Sequence, residues 1–180
     1  MTVPLQQAGL DVVGVDVDEQ MLSAAAAKGA RKLVRADMRR FCFAARFQLV
    51  FVAYNSLQLL SGDRERLACL RAARAHLRVA GRFATELTDF QDGDEAPWVE
   101  PERLASADGV TLWGSLHHDV RRRITRYGRR YEEGGEAYDD AVELRSLTDG
   151  EVRSLFRRAG FTDVTVRRRG RVSRWVACAP

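Results

Sequence analysis

Residues 12–22 read VVGVDVDEQML, and this stretch decides the fold. Its first part, up to Asp16, is a compact valine-rich run of the kind that forms a buried β-strand. Asp18 is suited to cap the N-terminus of a helix, and the residues after it carry apolar side chains at helical spacing until Gly29. A short strand followed at once by a helix is typical of a parallel α/β sheet.

The same alternation continues through the first half of the chain. Helices are predicted over residues 1–8, 19–28 and 63–79, and strands over residues 11–16, 31–35, 47–53 and 82–87. The strand at 47–53 (FQLVFVA) is apolar on both faces, so we expect it to be central in the sheet. Gly81 is predicted to end the third helix.

The second half begins with a different pattern. A loop is predicted over residues 91–102, which hold two of the four prolines. Three polar, β-prone stretches follow from residue 110 to 144, divided at Gly128 and at Gly134-Gly135, and they predict an antiparallel insert. A helix then begins at the capping box of Thr148 and Glu151, and a hairpin about Gly170 closes the chain.

Composition limits the class of partner. The 180 residues are 46% hydrophobic and 30% charged, which is typical of one globular domain. The net charge of +4 is spread along the chain. Arginine clusters at residues 121–123, 129–130 and 167–169 fall in β-prone stretches, where alternation puts side chains on both faces and breaks up a basic stripe. We therefore expect no nucleic-acid partner.

Simple sequence patterns bear on metal binding, membrane insertion and the cellular compartment. Cys42, Cys69 and Cys178 have no metal-ligand spacing, so no metal site is predicted. No apolar run approaches the ~20 residues that a membrane helix needs, and the N-terminus has no signal pattern. These patterns predict a cytoplasmic protein without a membrane partner, and they leave the oligomeric state open.

The run VVGVDVDEQML resembles the second strand and following helix of class I, Rossmann-like, S-adenosylmethionine-dependent methyltransferases. In that family the acid that ends this strand holds the two ribose hydroxyls, which implies this role for Asp16, with Val17 next to it. A carboxylate only accepts hydrogen bonds and suits a vicinal diol. Dinucleotide dehydrogenases use the same device, and an aspartate can also simply end a strand.

Two further motifs support the resemblance. Asp37-Met38, 21 residues after Asp16, lies where the family has an acid that bonds the adenine amino group, with the next backbone N–H at the ring. The alternative is that Asp37 caps a turn beside Arg39-Arg40. Residues 54–57, Tyr54-Asn55-Ser56-Leu57, occupy the family's fourth motif, next to the reactive methyl group. Ligands of open α/β sheets bind at this carboxyl edge.

The resemblance implies a Rossmann-like three-layer sandwich. Its mostly parallel sheet has the strand order 3-2-1-4-5-7-6, with an antiparallel terminal hairpin and an antiparallel insert at residues 91–147. The family's first, central strand and its glycine-rich turn, E/D-x-G-x-G-x-G, have no counterpart, because residues 1–8 align with the helix after that turn. We expect residues 1–180 to be a single methyltransferase domain whose true start lies upstream of Met1. The alternative is a chain that has lost cofactor binding.

The implied function is S-adenosylmethionine-dependent methyl transfer to a nitrogen or oxygen of a small molecule. Asn55-Ser56-Leu57 differs from the Asn/Asp-Pro-Pro-Tyr/Phe of enzymes that methylate bases or glutamine. Candidates for a catalytic base are His117, His118 and Tyr54, since a histidine titrates in the useful range; Glu86 is interpreted as a polar strand end. One histidine of the adjacent pair would otherwise face solvent while the other packs in the insert. A non-catalytic binding or regulatory protein is the second hypothesis.

Overall fold

The computed structural model describes residues 1–88, 99–169 and 173–180. The helices in these ranges are α1 (Thr2–Gln7), α2 (Glu19–Ala27), α3 (Ser56–Leu59), α4 (Asp63–Ala75) and α5 (Asp149–Arg158). The strands are β1 (Gly14–Asp16), β2 (Leu33–Arg35), β3 (Phe47–Val52), β4 (Leu77–Thr88), β5 (Val99–Ala107), β6 (Val110–Asp119), β7 (Ile124–Glu133), β8 (Glu136–Arg145), β9 (Thr162–Arg169) and β10 (Ser173–Ala179).

The strands form three open sheets. β1 and β2 form a parallel pair, and a second sheet has the order β3-β4-β10-β9, parallel between β3 and β4 and antiparallel elsewhere. The third sheet, β5-β6-β7-β8, is antiparallel throughout. The first two sheets follow the predicted order on either side of the expected central strand. The prediction of a Rossmann-like α/β fold with an antiparallel hairpin and insert is confirmed.

The strand β3 has the open edge that the expected strand order implies when the family's first strand is missing, although its apolar sequence alone predicts a central strand. It pairs with β4, and no described strand pairs with its other edge. Leu49 in this strand is 52% exposed. An apolar sequence therefore shows that a strand suits burial, but the number of its neighbours depends on the rest of the sheet.

The predicted end of the third helix at Gly81 is wrong. Helix α4 stops at Ala75, and β4 begins at Leu77 because the chain already pairs with β3 there; the Phe47 N–H donates to the His76 carbonyl over 2.8 Å. Gly81 lies inside β4, where a Cβ atom would come within 3.0 Å of the backbone oxygens of Arg78 and Phe47. This glycine permits close approach of two backbones instead of ending a helix.

The insert has four described strands, one more than predicted. Gly128 lies within β7, and the turn between β6 and β7 falls at residues 120–123 instead. The predicted loop at 91–102 lies outside the described residues up to position 98, and its last residues belong to β5. Gly128 is small because Ser115 lies directly opposite on β6: a Cβ atom would collide with the Ser115 Oγ.

The predictions for the C-terminal region are confirmed where they fall on described residues. Thr148 and Glu151 form a capping box at the start of α5, and Gly160 follows the helix with a φ of 93°. Strands β9 and β10 form the expected antiparallel hairpin, whose predicted turn at Gly170 lies outside the described residues.

The core lies between the second sheet and the helices α4 and α5. Rings of Phe83, Phe156 and Phe161 meet with centroids 5.5–5.8 Å apart, and leucines of α3 and α4 pack around them. This is the geometry in which aromatic pairs add to the stabilisation from burial. Within the described ranges, no helix combines the length and the apolar character needed to cross a membrane.

A buried amide joins this core to the insert. Gln58, in α3, is only 2% exposed. Its Nε2 donates to the carbonyls of Thr88 at 2.8 Å and Arg145 at 2.9 Å, and its Oε1 accepts from the Thr88 N–H at 2.7 Å. One side chain therefore holds together α3, the end of β4 and the end of β8. The two bonds to Thr88 are buried and the bond to Arg145 is partly buried, so their loss leaves buried polar groups unsatisfied.

We expect Gln58→Ala to lower the free energy of unfolding by about 2–3 kcal/mol, because several buried backbone groups lose their partner. Chemical denaturation followed by circular dichroism measures this. Gln48→Ala is the matched control, since Gln48 is exposed and makes one bond, to the Ala80 carbonyl at 3.2 Å; it should change stability by less than about 0.5 kcal/mol. Equal effects of the two substitutions would contradict this account.

Candidate active site

The candidate active site lies where β1, β2 and β3 end. β1 and β2 are parallel and in register, with Asp16 opposite Arg35, so the polar residues that follow them share one edge of the sheet. Met38, in the loop after β2, packs against the core below α3 and α4. Met38 of the second motif and Leu57 of the third motif thus belong to one packed region.

Asp16 ends β1 with little of its hydrogen-bonding capacity used. The side chain is partly buried, and its Oδ1 accepts the N–H of Asp18 over 3.0 Å. A carboxylate has about four acceptor positions. Most of them stay open to a ligand at the strand end, which fits the two hydroxyls of a ribose. Val17, the next residue, is 65% exposed and lies at the same strand end.

Asp37 has much less capacity left. Its oxygens accept the Arg39 backbone N–H at 2.8 Å, the Arg39 Nε at 3.0 Å and the Arg39 Nη2 at 2.7 Å. These bonds to the Arg39 guanidinium and backbone lower the pKa of Asp37 to about 2. The structure therefore gives Asp37 the turn-capping contacts of the alternative interpretation.

Arg39 extends this contact to a second helix. Its Nη1 pairs with Glu65 of α4, and Glu65 in turn accepts the Ser61 N–H and hydroxyl at 3.0 Å each. The backbone and hydroxyl of Ser61 lower the pKa of Glu65. This chain of bonds ties the loop after β2 to the segment between α3 and α4. Sequence reasoning noted Arg39 only as a neighbour of Asp37; the spacing Asp37-x-Arg39, typical of a capped turn, was the available signal.

Tyr54 and Asn55 form the third part of the site in an unusual backbone conformation. Their φ values are 52° and 59°, so two successive non-glycine residues lie in the left-handed region. Such backbone costs energy and clusters at functional sites. The Asn55 Oδ1 atom is buried and has no hydrogen-bond partner in the described part of the chain.

The remaining residues of this motif have different environments. Tyr54 is 69% exposed, whereas the side chain of Leu57 is fully buried in the core cluster. Leu57 was predicted at the cofactor, but its side chain is used for packing. Gln58, which the sequence reasoning did not single out, holds α3 in place through its buried amide. A buried glutamine has no sequence pattern of its own, because its partners are distant backbone groups.

The two candidate histidines point to opposite faces of the insert sheet. His118 is 7% exposed, faces the core with Thr125 and Leu144 opposite in register, and its Nδ1 lies 2.9 Å from the Thr125 hydroxyl. His117 is exposed on the outer face, opposite Arg126. The alternative interpretation, in which one histidine packs and the other meets solvent, agrees with this arrangement. Among described residues, no group of acids, histidines and cysteines is placed to hold a metal.

Comparisons with known proteins agree with the fold. Residues 1–81 match a family model described as a methyltransferase domain, and a search of curated proteins found no match. The CcbJ methyltransferase of Streptomyces caelestis is 22% identical with a TM-score of 0.76, over 98% of this chain and 77% of that one. The sugar N-methyltransferase KedS8 of Streptoalloteichus is 17% identical with a TM-score of 0.74, over 94% and 72%.

A third similar structure is CalS10 of Micromonospora echinaspora, an amino pentose methyltransferase solved with bound S-adenosylmethionine. It is 22% identical with a TM-score of 0.71, over 94% of this chain and 74% of that one. At these identities the structures show the fold, and the family model adds the sequence match over residues 1–81. The predicted resemblance to class I S-adenosylmethionine-dependent methyltransferases is confirmed.

We expect Arg39→Gln to raise the pKa of Asp37 from about 2 toward an ordinary value of about 3.9. The lowered pKa means that the pair stabilises the folded chain above pH of about 4, and that this stabilisation is lost as the pH falls toward about 2. Carbon NMR titration of the Asp37 carboxyl measures the shift. Arg40→Gln is the control, because the Arg40 Nε is 3.7 Å from Asp37 and the side chain is exposed. An unchanged Asp37 titration in Arg39→Gln would refute the assignment.

Proposed function

We propose that the protein transfers a methyl group from S-adenosylmethionine to a nitrogen or oxygen of a small molecule. The observation that carries this proposal is the buried, unpartnered Asn55 Oδ1 beside the left-handed Tyr54-Asn55 pair, at the edge where Asp16 keeps open acceptor positions. The class of enzyme rests on the methyltransferase domain match over residues 1–81 and on the neighbours of the same fold.

S-adenosylmethionine is the cofactor, and when bound it supplies an electrophilic methyl group on a sulfonium. The Asp16 carboxylate would accept hydrogen bonds from the two ribose hydroxyls. The Met38 backbone would contact the adenine, in a loop that the Asp37–Arg39 pair holds in shape. The Asn55 Oδ1 would accept a hydrogen bond from a donor group of the cofactor or substrate. These residues mostly bind and orient, which is the main contribution a protein can make to an in-line displacement.

The acceptor atom must lose a proton if it is an amine or hydroxyl. Of the three candidates for a base, Tyr54 lies at the end of β3 beside Asn55 and is exposed to an incoming substrate. His118 faces the core side of the insert in contact with Thr125. His117 lies on the outer face and is the least suited, because the insert sheet separates it from the strand ends. We infer that Tyr54 or His118 is the base that accepts the proton from the acceptor atom.

The insert and the neighbours support a class of substrate. We infer that residues 1–180 act as one methyltransferase domain, with residues 91–147 as an insert on the substrate side. Tyr127 lies on the core-facing side of this insert and is hydrogen-bonded to Thr88, the last residue of β4. Burial raises the pKa of the Tyr127 hydroxyl. Two neighbours are by name a sugar N-methyltransferase and an amino pentose methyltransferase, which supports an amino sugar as acceptor.

A non-catalytic binding protein is the second candidate. The observation in its favour is that β1 and β3 share no strand hydrogen bonds in the described ranges, so the cofactor edge is divided between two sheets. This hypothesis requires a chain that folds cooperatively and yet binds no S-adenosylmethionine.

We expect the chain to bind S-adenosylmethionine with micromolar-class affinity, and Asp16→Ala to weaken binding by at least about tenfold, since two hydrogen bonds to a charged acceptor are lost. Isothermal titration calorimetry measures both. Asp11→Ala is the matched control: Asp11 precedes the same strand but pairs with Lys32 at an exposed position, so affinity should not change. An affinity of Asp16→Ala equal to that of the wild-type chain would contradict the role assigned to Asp16, and a folded chain that binds no S-adenosylmethionine would support the binding protein.

A further inference from the structure

The outer face of the insert sheet carries a trough that the methyl-transfer site does not use. This outer trough is a cavity of about 420 Å³ whose floor is formed by Ser115, Gly128 and Ala141 and whose walls are formed by Trp113, His117 and Arg126. It lies on the face opposite His118 and Leu144, which pack toward the core. The outer trough therefore opens on the other face of the insert sheet from these core-facing residues.

The floor consists of three small residues in register across three strands. Ser115 on β6 is opposite Gly128 on β7, and Gly128 is opposite Ala141 on β8. Gly128 has no Cβ atom, and one added there would collide with the Ser115 Oγ. Since larger side chains on the same face flank this row on both sides, the row forms a depression rather than a flat surface.

One wall of the trough holds the aromatic ring of Trp113, and the opposite wall holds the positive charge of Arg126. The Trp113 indole is fixed by its Nε1, which donates to the Glu132 Oε2 over 2.8 Å. The row of His117 and Arg126 lies on the other side of the floor. Residues two apart along a strand are separated by roughly 6.8 Å, so the two walls lie on the order of 13 Å from each other. That span accommodates a six-membered ring and one anionic substituent.

Arg126 differs from the other arginines of β7. Arg129 pairs with Asp140, and Arg130 pairs with Glu132 at 3.0 Å and Asp139 at 3.7 Å. Arg126 takes part in no ion pair or hydrogen bond with residues in the described ranges, although it lines the trough. An arginine in this setting presents a planar fork that binds phosphate or carboxylate in a bidentate manner.

We propose that the outer trough binds a flat ring that carries a phosphate or carboxylate group, with the ring on Trp113 and the anion on Arg126. An indole face accepts both an aromatic ring and the C–H face of a sugar, so either source provides the same chemistry. A second copy of the chain fits this face less well, because charged side chains surround the small residues and protein interfaces are depleted of charge at their centre.

The test is calorimetry on the full chain with three probes: phenyl phosphate, glucose 6-phosphate and inorganic phosphate. We expect one of the ring-bearing probes to bind at least tenfold more tightly than inorganic phosphate, and the stronger of the two identifies the source of the ring. Arg126→Gln should weaken this binding by at least tenfold. Ser115→Val should abolish it by filling the floor, and thermal unfolding establishes that this variant is folded.

Arg122→Gln is the matched control, since Arg122 is an exposed arginine in the β6–β7 turn outside the trough. It should leave the affinity unchanged. Equal weakening by Arg122→Gln and Arg126→Gln would show general attraction of anions to a basic chain and would overturn the proposal. No binding of either ring-bearing probe would also overturn it.

A dimer in analytical ultracentrifugation that Arg126→Glu dissociates would assign the face to a second copy instead. Binding of S-adenosylmethionine by Arg126→Gln, measured in parallel, keeps this result separate from the proposed methyl transfer.

Discussion

The hydrogen bonds of the buried Gln58 amide are the interaction on which the site depends. They fix α3 to the last residue of β4 and to the end of β8. The left-handed pair Tyr54-Asn55 directly precedes α3, so the position of that helix sets where the Asn55 side chain lies. Backbone strain of this kind persists only when its surroundings hold it, and the Gln58 contacts supply that constraint.

Two carboxylates with low pKa values, Asp37 and Glu151, also join separate segments of the fold. Asp37 and Arg39 shape the loop after β2 and connect it to α4 through Glu65. Glu151 caps α5 and also pairs with Arg123 at 2.7 Å and Arg145 at 3.0 Å, which joins the insert to the core; these contacts, led by Arg123, lower its pKa to about 2. Both groups stabilise the fold above the ordinary pKa of a carboxylate, and this contribution disappears as the pH falls toward about 2.

The insert gives its two faces different tasks. Alternation along the strands buries His118, Thr125 and Leu144 against the core and leaves His117 and Arg126 outside. His117 and His118 are adjacent and chemically alike, but they lie on opposite faces of the insert. Tyr127 and Trp113 are divided in the same way, with Tyr127 on the core-facing side and Trp113 on the outer face.

The sequence by itself determined the local elements and the order in which they occur. The Asp18 cap, the Thr148–Glu151 capping box and the valine-rich strand before Asp16 depend on neighbours in the chain, so their patterns predicted α2, α5 and β1. The tertiary structure decided what depends on distant groups: the early end of α4 where β4 pairs with β3, the use of Gly81 and Gly128 for close approach, and the ion pair of Asp37 with Arg39. The physical reason is the distance along the chain over which each interaction acts. Capping and periodicity act over a few residues, whereas burial, sheet neighbours and the partner of a charge are set only when remote segments meet.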